Sequence, residues 1–213
     1  MVIIYKRWAT CVKFNPYWHY FVKYISPFIK NKKGIVLEIG DGEVERVLAM
    51  QTIFPNLIEL EFCFNKIHKL TEVKFINGDA QYIPFKDASF DCVISHHVIE
   101  HVPNDLLFLR EVYRVLKKGG LAILGTPNRK RLPEILRAIF MGERKFPYLE
   151  HIREYTKEEI MNLASNLPFR LIEVDKSFFG FWGGTPFIIG LERPPNIFEK
   201  YAHFLFLKLQ KDI

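Results

Sequence analysis

Cysteine is scarce in this sequence of 213 residues, which contains only Cys11, Cys63 and Cys92. Three is an odd number, and the wide spacing of these residues fits neither a disulfide framework nor a metal site built on cysteine. We therefore expect no disulfide and no bound metal ion.

Long apolar runs are also absent. No uninterrupted apolar segment approaches the roughly 18 residues that a transmembrane helix needs. Lys6 and Arg7 interrupt the only early apolar stretch, so no signal peptide is expected either. Internal repeats and low-complexity tracts are lacking as well. We expect a cytoplasmic protein without a transmembrane segment.

The composition is that of a folded protein. Hydrophobic residues make up 49% and aromatic residues 15% of the chain, and its length suits one domain with small additions. The formal net charge is +6. This charge fits a lysine-rich solvated surface, and it also fits an acidic partner such as RNA or a membrane surface.

The most informative stretch lies at residues 34–50. A short apolar run at residues 35–39, interrupted only by Glu38, predicts a strand buried on both faces of a parallel sheet. Gly40, Asp41 and Gly42 follow, and apolar residues then recur at helical spacing. A strand, a glycine turn and a helix form the first unit of a nucleotide-binding α/β fold. Such turns also arise by chance, so this stretch alone leaves ligand binding and an ordinary strand–helix turn equally open.

Strands and helices then alternate along the chain. Further apolar, strand-like segments lie at 57–61, 73–76, 90–95 and 121–125, and helical periodicity lies at 63–70 and 104–117. This alternation predicts an α/β fold with a doubly wound, mostly parallel sheet of seven strands, which is Rossmann-like. Lys117 and Lys118 suit the C-terminal end of the helix at 104–117, and two glycines are expected to stop it.

Both ends of the chain depart from this alternation. Aromatic residues at spacings of three and four predict a helix at 14–30, within an N-terminal helical extension at 1–33. The core is expected at 34–192. A final helix is predicted at 196–211, in a C-terminal segment at 193–213, with Phe198, Tyr201, Leu205 and Leu209 along one face.

The second half of the core contains a basic insertion at 130–155, with a helix at 132–141. Thr156 and Glu159 have the spacing of a capping box that opens a helix at 157–166. Strand-like segments at 169–174 and 186–191 flank a glycine-aromatic loop, and they are expected to form an antiparallel hairpin at the sheet edge. The whole chain is thus predicted to be a single domain.

Polar residues cluster where the predicted strands end. In an open α/β sheet the ligand lies beyond the carboxyl ends of the strands. Glu61 ends the second predicted strand, Asp79 follows the third, and His96 and His97 follow the fourth. A carboxylate in the position of Glu61 can accept hydrogen bonds from both ribose hydroxyls of an adenosine cofactor. A nicotinamide cofactor is disfavoured because its fingerprint requires a glycine where this chain has Glu45.

An ordered set of motifs resembles the class I S-adenosylmethionine-dependent methyltransferases. The motifs are Val-Leu-Glu-Ile-Gly-Asp-Gly (36–42), Glu61, Gly-Asp-Ala (78–80), Ser-His-His-Val-Ile-Glu-His-Val (95–102), Leu-Lys-Lys-Gly-Gly (116–120) and Gly-Thr-Pro-Asn (125–128). The resemblance covers residues 34 to about 192. It implies S-adenosyl-L-methionine as cofactor.

The resemblance also implies roles for individual residues. Gly40 and Gly42 contact the methionine part of the cofactor, Glu61 binds the ribose, and Asp79 with Ala80 binds adenine. Ser95 and His96 line the pocket beside the methionine part, and the turn residues Glu38 and Asp41 belong to the same predicted site. The family turn is usually Gly-x-Gly-x-Gly, whereas Val44 stands in the third glycine position here. This departure leaves open a non-catalytic binding protein on the same fold.

Methyl transfer from a sulfonium is an in-line displacement, so alignment of the nucleophile dominates and a base contributes where the acceptor carries a proton. Candidate bases are His96, His97, His101 and His151. We expect His101 to tie down its loop, and we predict His151, and after it His97, as the catalytic residues.

Three interpretations of the substrate remain open. A small-molecule or lipid-like acceptor is favoured by the aromatic loop at 178–182 and by the aromatic terminal helices. RNA is the alternative suggested by the basic residues Arg129, Lys130, Arg131, Arg137, Arg144 and Lys145. The third interpretation is the non-catalytic binding protein. The apolar stripe of the final helix is expected to pack on its own domain or on the partner in a homodimer.

Overall fold

The computed structural model describes residues 2–6, 20–40, 44–62, 73–142, 151–181, 187–191 and 193–212. Its strands are β1 (Val2–Lys6), β2 (Val36–Ile39), β3 (Leu57–Glu61), β4 (Lys74–Asn77), β5 (Phe90–His96), β6 (Leu116–Pro127), β7 (Phe169–Ser177), β8 (Phe179–Phe181), β9 (Phe187–Leu191) and β10 (Phe204–Lys211). Its α-helices are α1 (Val44–Ile53), α2 (Asp105–Val115), α3 (Leu132–Met141) and α4 (Lys157–Ala164).

The larger sheet has seven strands in the order β4-β3-β2-β5-β6-β10-β7. Strands β2 to β6 pair in parallel, and β10 lies antiparallel between β6 and β7. A second, antiparallel sheet has the order β1-β9-β8. The predicted fold class, a mostly parallel seven-stranded sheet flanked by helices, is confirmed.

The core has two layers because successive side chains of a strand point to opposite faces. In β10, Leu205, Leu207 and Leu209 belong to the layer that packs on α2 and α4, whereas Phe204 and Phe206 belong to the other layer. That second layer also contains the buried residues of the segment 20–29 and of α1. The sheet is therefore covered on both faces, as a doubly wound sheet requires.

Two helix starts follow from local side-chain chemistry. The side chain of Asn104 accepts a hydrogen bond from the backbone N–H of Leu107 and so caps α2. The predicted capping box at the start of α4 is present, because the side chain of Thr156 accepts from the Glu159 N–H and that of Glu159 accepts from the Thr156 N–H. The helix predicted at 132–141 is confirmed as α3.

The helix predicted at 196–211 is wrong. Only a 3-10 helix at Asn196–Tyr201 precedes strand β10, in which residues 204 to 209 are all buried. Residues 204–207 are all apolar, and a short apolar run covered on both faces has no period that could separate a helix from a strand. Leu205 and Leu209 lie in the core, so the predicted helical stripe does not form, and of its residues Phe198 on the 3-10 helix is 39% exposed.

The predicted antiparallel C-terminal hairpin is present, but β8 takes the place of residues 169–174 as the partner of β9, and the hairpin belongs to the smaller sheet. Strand β7 pairs with β10, and β9 pairs with β1 and β8 in the smaller sheet. The antiparallel edge of the large sheet is therefore made by β7 and β10. Closeness in sequence predicts that the two segments are neighbours, whereas β7 pairs with β10 in the large sheet and β9 lies in the smaller sheet.

Three smaller differences concern element ends. Helix α2 ends at Val115, and β6 begins at Leu116, ahead of the two glycines that were expected to stop the helix. Lys117 pairs with Asp91 at 2.8 Å and does not cap the helix. The described part of the predicted helix 14–30 consists of a π-helical turn at Phe21–Ile25 and a 3-10 turn at Ser26–Phe28.

Some predictions lie outside the described residues. These are the helix at 63–70, the beginning of the helix at 14–30, and the glycine turn at 41–43. Within the described part of the chain, no helix is both long and apolar enough to span a membrane.

Replacing Leu207 by alanine tests the assignment of residues 204–211. In strand β10 this side chain is fully buried, whereas the predicted helix would place it opposite the apolar stripe. We expect Leu207→Ala to lower the free energy of unfolding by about 2–5 kcal/mol. Ile197→Ala is the control, since Ile197 is 73% exposed and its truncation should change stability by about 0.5 kcal/mol or less. Urea denaturation measures both, and a near-neutral Leu207→Ala would contradict the strand.

Candidate active site

The parallel register of three strands brings predicted site residues side by side. Ile39 at the end of β2 is paired with Leu60 of β3 and with Ser95 of β5. The next residue on each strand is therefore Gly40, Glu61 or His96. These three residues stand together at the carboxyl edge of the sheet, where α/β folds bind their ligands.

Gly40 makes a turn that a larger residue fits poorly. Its φ is +77°, and its N–H donates a 2.9 Å hydrogen bond to the Leu60 carbonyl. A Cβ atom at this position would lie 2.4 Å from Cγ2 of Val98. The glycine is thus required by the backbone conformation and by the close approach of the loop that follows β5.

Glu61 presents a buried carboxylate beside this turn. Its side chain is 6% exposed, and its backbone is fixed by Asn77, whose side-chain amide donates to the carbonyls of Glu61 and Phe62 at 2.9 Å each. The Gly78 N–H also donates to the Glu61 carbonyl at 3.2 Å. The end of β3 is therefore held rigidly by the end of β4.

Asp79 is held by a local turn. Its Oδ1 accepts a 2.8 Å hydrogen bond from the Gln81 N–H, and the Gln81 amide lies 3.3 Å from both carboxylate oxygens. The side-chain Oε1 of Gln81 in turn accepts from the Asn104 N–H at 2.8 Å. Ala80 is buried between these contacts. The predicted adenine-binding turn is thus linked to the start of α2 through Gln81, which the sequence analysis did not single out.

His96 lies under the site, packed between two elements. Its ring meets Phe21 edge to face at 4.8 Å between centroids, and its Nε2 lies 3.8 Å from Oε1 of Glu38. Both His96 and Glu38 are essentially inaccessible to solvent, and Ser95 is also buried. All three residues are therefore buried near the carboxyl ends of β2 and β5, and their contact with a cofactor stays a prediction.

His97 is at the rim and has an unusual backbone. Its φ is +53°, and its Nδ1 lies 3.0 Å from Oε1 of Glu100. Glu100 is fully buried, and its Oε2 accepts a 3.1 Å hydrogen bond from Thr126. A carboxylate only accepts hydrogen bonds, so the Nδ1 of His97 carries the proton in this contact.

His151 has a similar partner in Glu154. Its Nδ1 lies 2.9 Å from Oε1 of Glu154, and Arg131 holds both oxygens of this carboxylate at 2.6 and 3.0 Å. Burial raises the pKa of Glu154, but the hydrogen bonds from His151 and Arg131 and the positive charge of Arg131 outweigh burial and hold the pKa below its usual value. Because Glu154 stays ionised, it orients the His151 ring.

The backbone of the insertion forms hydrogen bonds with the loop that follows β5. The N–H groups of Ile152 and Arg153 donate to the Glu100 carbonyl at 2.9 and 3.3 Å, and the rings of His101 and His151 meet edge to face at 4.7 Å. The structure therefore brings His151 close to His97 and His101, although His97 and His151 are more than 50 residues apart in the sequence.

Asp41 and Gly42 lie outside the described residues, and the predicted roles of all the site residues stay predictions. Glu100, Glu154 and Gln81 were missed by the sequence analysis. The spacing of three residues from His97 to Glu100 and from His151 to Glu154 is a signal that could have found the first two.

A cavity of about 590 Å³ lies elsewhere, along β7 and residues 193–199. Among the predicted site residues that the structure describes, none lines this cavity. Its position at the sheet edge, away from the strand carboxyl ends, separates it from the candidate active site.

His203 is a buried histidine whose pKa is lowered, so its imidazole is neutral. Burial lowers its pKa to about 3, and the positive charge of Arg131 acts in the same direction. Its ring packs against Phe178 at 5.1 Å between centroids. Phe178 is itself buried, so this residue of the predicted aromatic loop serves the core.

Comparisons with known proteins agree with this geometry. Residues 37–124 match the family model of the methyltransferase domain. The sequence is similar to a malonyl-[acyl-carrier protein] O-methyltransferase of Marinomonas, with 24% identity over 166 residues, 73% of this chain and 60% of the relative. It is also similar to a demethylmenaquinone methyltransferase of Staphylococcus aureus, with 38% identity over 74 residues, 35% of this chain and 31% of the relative.

The fold is shared with solved structures. A Thermotoga maritima protein described as a SAM-dependent methyltransferase, possible histamine N-methyltransferase, matches with a TM-score of 0.62 at 22% identity, covering 92% of this chain and 99% of that one. Residues 37–124 therefore match a methyltransferase domain, and the chain has the fold of these methyltransferase structures, which agrees with the resemblance found in the sequence. The chain spans 60% and 31% of the length of the two relatives named above.

Gly40→Ala tests the close approach at the end of β2. Gly142 is the matched control, since its φ is +73° but a Cβ there would have no neighbour within 4 Å. Both substitutions carry the cost of a left-handed residue, about 1–2 kcal/mol. We expect Gly40→Ala to lose measurably more stability in urea denaturation, because only it also collides with Val98. The added substitution Val98→Ala should recover that excess, and equal losses for the two glycines would contradict the packing.

The burial of neutral His203 predicts a pH-dependent stability. Because its folded pKa is lowered, the unfolded chain binds a proton below about pH 6.5 that the native state does not bind. Stability should therefore fall as the pH falls, by about 2 kcal/mol from this residue between pH 7.5 and 5.0. Urea denaturation of the wild type and of His203→Gln at both values measures it. The variant should lack this part of the loss, and identical pH dependence in both proteins would contradict it.

Proposed function

We propose that this protein transfers a methyl group from S-adenosyl-L-methionine to a small-molecule or lipid-like acceptor. The observation that carries the proposal is the placement of the buried Glu61 carboxylate in register with the Gly40 turn. A ribose beside Glu61 can donate both hydroxyls to one carboxylate, while the positive φ of Gly40 turns the chain at the end of the neighbouring strand.

The remaining cofactor contacts follow the same edge of the sheet. Asp79 and Ala80 are placed to hold adenine, since Asp79 already has a fixed orientation through Gln81. The methionine part is assigned to Gly40 and Gly42 with Ser95, and the other members of the proposed cofactor site are Glu38, Asp41 and His96. The buried Ser95 and His96 give this part of the site a floor that excludes water.

Bound S-adenosylmethionine supplies the activated methyl group, and the residues of this chain orient the acceptor and accept its proton. His151 and His97 are the proposed catalytic residues. In each ring Nδ1 faces a carboxylate, which leaves Nε2 as the basic atom. Glu154 and Glu100 fix the ring orientations, so a proton can be removed by a base already in position.

The acceptor class rests on the relatives and on the architecture. The two relatives carry names for methyltransferases that act on a malonyl-[acyl-carrier protein] and on demethylmenaquinone. Both names describe acceptors outside nucleic acid, which supports a small or lipid-like acceptor for this chain. Phe179 of strand β8 stacks on Phe198 at 5.0 Å and adds aromatic surface on the side of the smaller sheet.

RNA is less well supported than it was from the sequence. Within the described residues, Arg129 pairs with Glu159, Lys130 with Glu158, Arg131 with Glu154 and Arg137 with Glu134. These four basic side chains were part of the predicted RNA-binding set. Each now has a carboxylate partner, which reduces the positive field available to a phosphate backbone.

Calorimetric titration with S-adenosylmethionine and S-adenosylhomocysteine tests the proposal. We expect micromolar binding to the wild type and at least tenfold weaker binding to Glu61→Ala, a loss of about 1.4 kcal/mol or more. Glu158→Ala is the control, because the Glu158 side chain is 74% exposed on α4. Absence of binding to the wild type would favour the non-catalytic alternative, and equal affinity of all three proteins would remove Glu61 from the site.

A further inference from the structure

Three metal-ligating side chains converge where the insertion meets the loop after β5. Glu100 and His101 come from the loop, and His151 comes from the end of the insertion. Each offers one ligand atom, and the three atoms lie within 4.8 Å of one another. The sequence analysis expected no metal ion because it considered only cysteine, and it could not foresee that His151 returns to this loop.

The two segments are fixed relative to each other by the backbone. The N–H groups of Ile152 and Arg153 both donate to the carbonyl of Glu100. His101 is held from its own side, since its N–H donates to the Val98 carbonyl at 2.9 Å. The ligand atoms are therefore brought together by ordered main chain, which lowers the entropy cost of binding an ion.

The side chains behind the cluster have the arrangement that metal-binding histidines use. A ligating histidine generally gives its other ring N–H to a carboxylate, which fixes the ring and makes the ligating nitrogen more basic. Glu154 takes this place behind His151 at 2.9 Å, and the bidentate contact with Arg131 holds it there. Glu100 is oriented in the same way by Thr126 and by His97.

We propose that Glu100, His101 and His151 form a binding site for one divalent transition-metal ion of the Zn²⁺ type. Two imidazoles and one carboxylate suit such ions, whereas Mg²⁺ and Ca²⁺ prefer oxygen ligands alone. Tetrahedral coordination with bonds of about 2.1 Å separates ligand atoms by about 3.4 Å. A side-chain rotation that falls mainly to the half-buried His101 closes the difference, since the His151 side chain is 6% exposed and is held by Glu154.

Three protein ligands leave a fourth coordination position open. That position takes water or an oxygen atom of the acceptor, so the ion would lower the pKa of an acceptor hydroxyl. This consequence rests on the proposed function and refines it, because it names oxygen as the acceptor atom. His151 would then act through the ion, and His97 would remain as the base beside it.

Metal binding is tested without cofactor. Protein freed of metal with a chelator is titrated with Co²⁺, followed by its visible absorption, and with Zn²⁺ in competition with a chromophoric chelator. We expect one ion per chain and an affinity reduced at least tenfold in Glu100→Gln, His101→Ala and His151→Ala. Glu154→Gln, which does not remove a ligand, should weaken binding about 10–100-fold by releasing the His151 ring.

Glu158→Gln serves as the control, since this exposed carboxylate on α4 lies outside the cluster and its replacement should not change the affinity. Circular dichroism verifies that each variant is folded, and the half-buried His101 keeps the test open if the buried Glu100 variant unfolds. No stoichiometric binding, or equal affinity of the wild type and the folded ligand variants, would overturn the proposal.

Titrations with S-adenosylmethionine on the same metal-free protein separate the two proposals. Cofactor binding without metal binding would refute the metal site and leave the proposed function standing. Metal binding without cofactor binding would refute the proposed function and leave the metal site standing.

Discussion

The position of β2 between two parallel neighbours is the constraint on which the site depends. Its main chain is hydrogen-bonded to β3 on one side and to β5 on the other. Because this register is shared, Gly40, Glu61 and His96 must emerge side by side, although they are far apart in sequence. The two-layered core on either face of the sheet holds this register, so the packing of apolar side chains fixes the geometry of polar ones.

The loop after β5 connects this sheet edge to the insertion. Val98 approaches Gly40 closely, and the Glu100 carbonyl receives the backbone of Ile152 and Arg153. Histidines on both segments are oriented by buried carboxylates, and Glu154 stays ionised because Arg131 compensates its burial. The same few residues thus join the cofactor side of the site to the side proposed for the acceptor.

Those parts of the fold that depend on short-range sequence patterns could be predicted from the sequence. The strands at 57–61 and 90–95, the capping box of Thr156 and the helix at 132–141 depend on short-range patterns, and the structure confirms them. Residues 204–211 could not be assigned in this way. Their apolar run is buried on both faces, and the strands that flank β10 come from distant parts of the chain. The meeting of His101 with His151 was hidden for the same reason.

The central claim is that the carboxyl ends of β2, β3 and β4 hold S-adenosylmethionine. A crystal structure of the complex with S-adenosylhomocysteine tests it most directly. The account predicts the ribose hydroxyls within hydrogen-bond distance of the Glu61 carboxylate, about 2.5–3.0 Å, with adenine beside Asp79. A cofactor bound away from Glu61, for example in the cavity along β7, would contradict it.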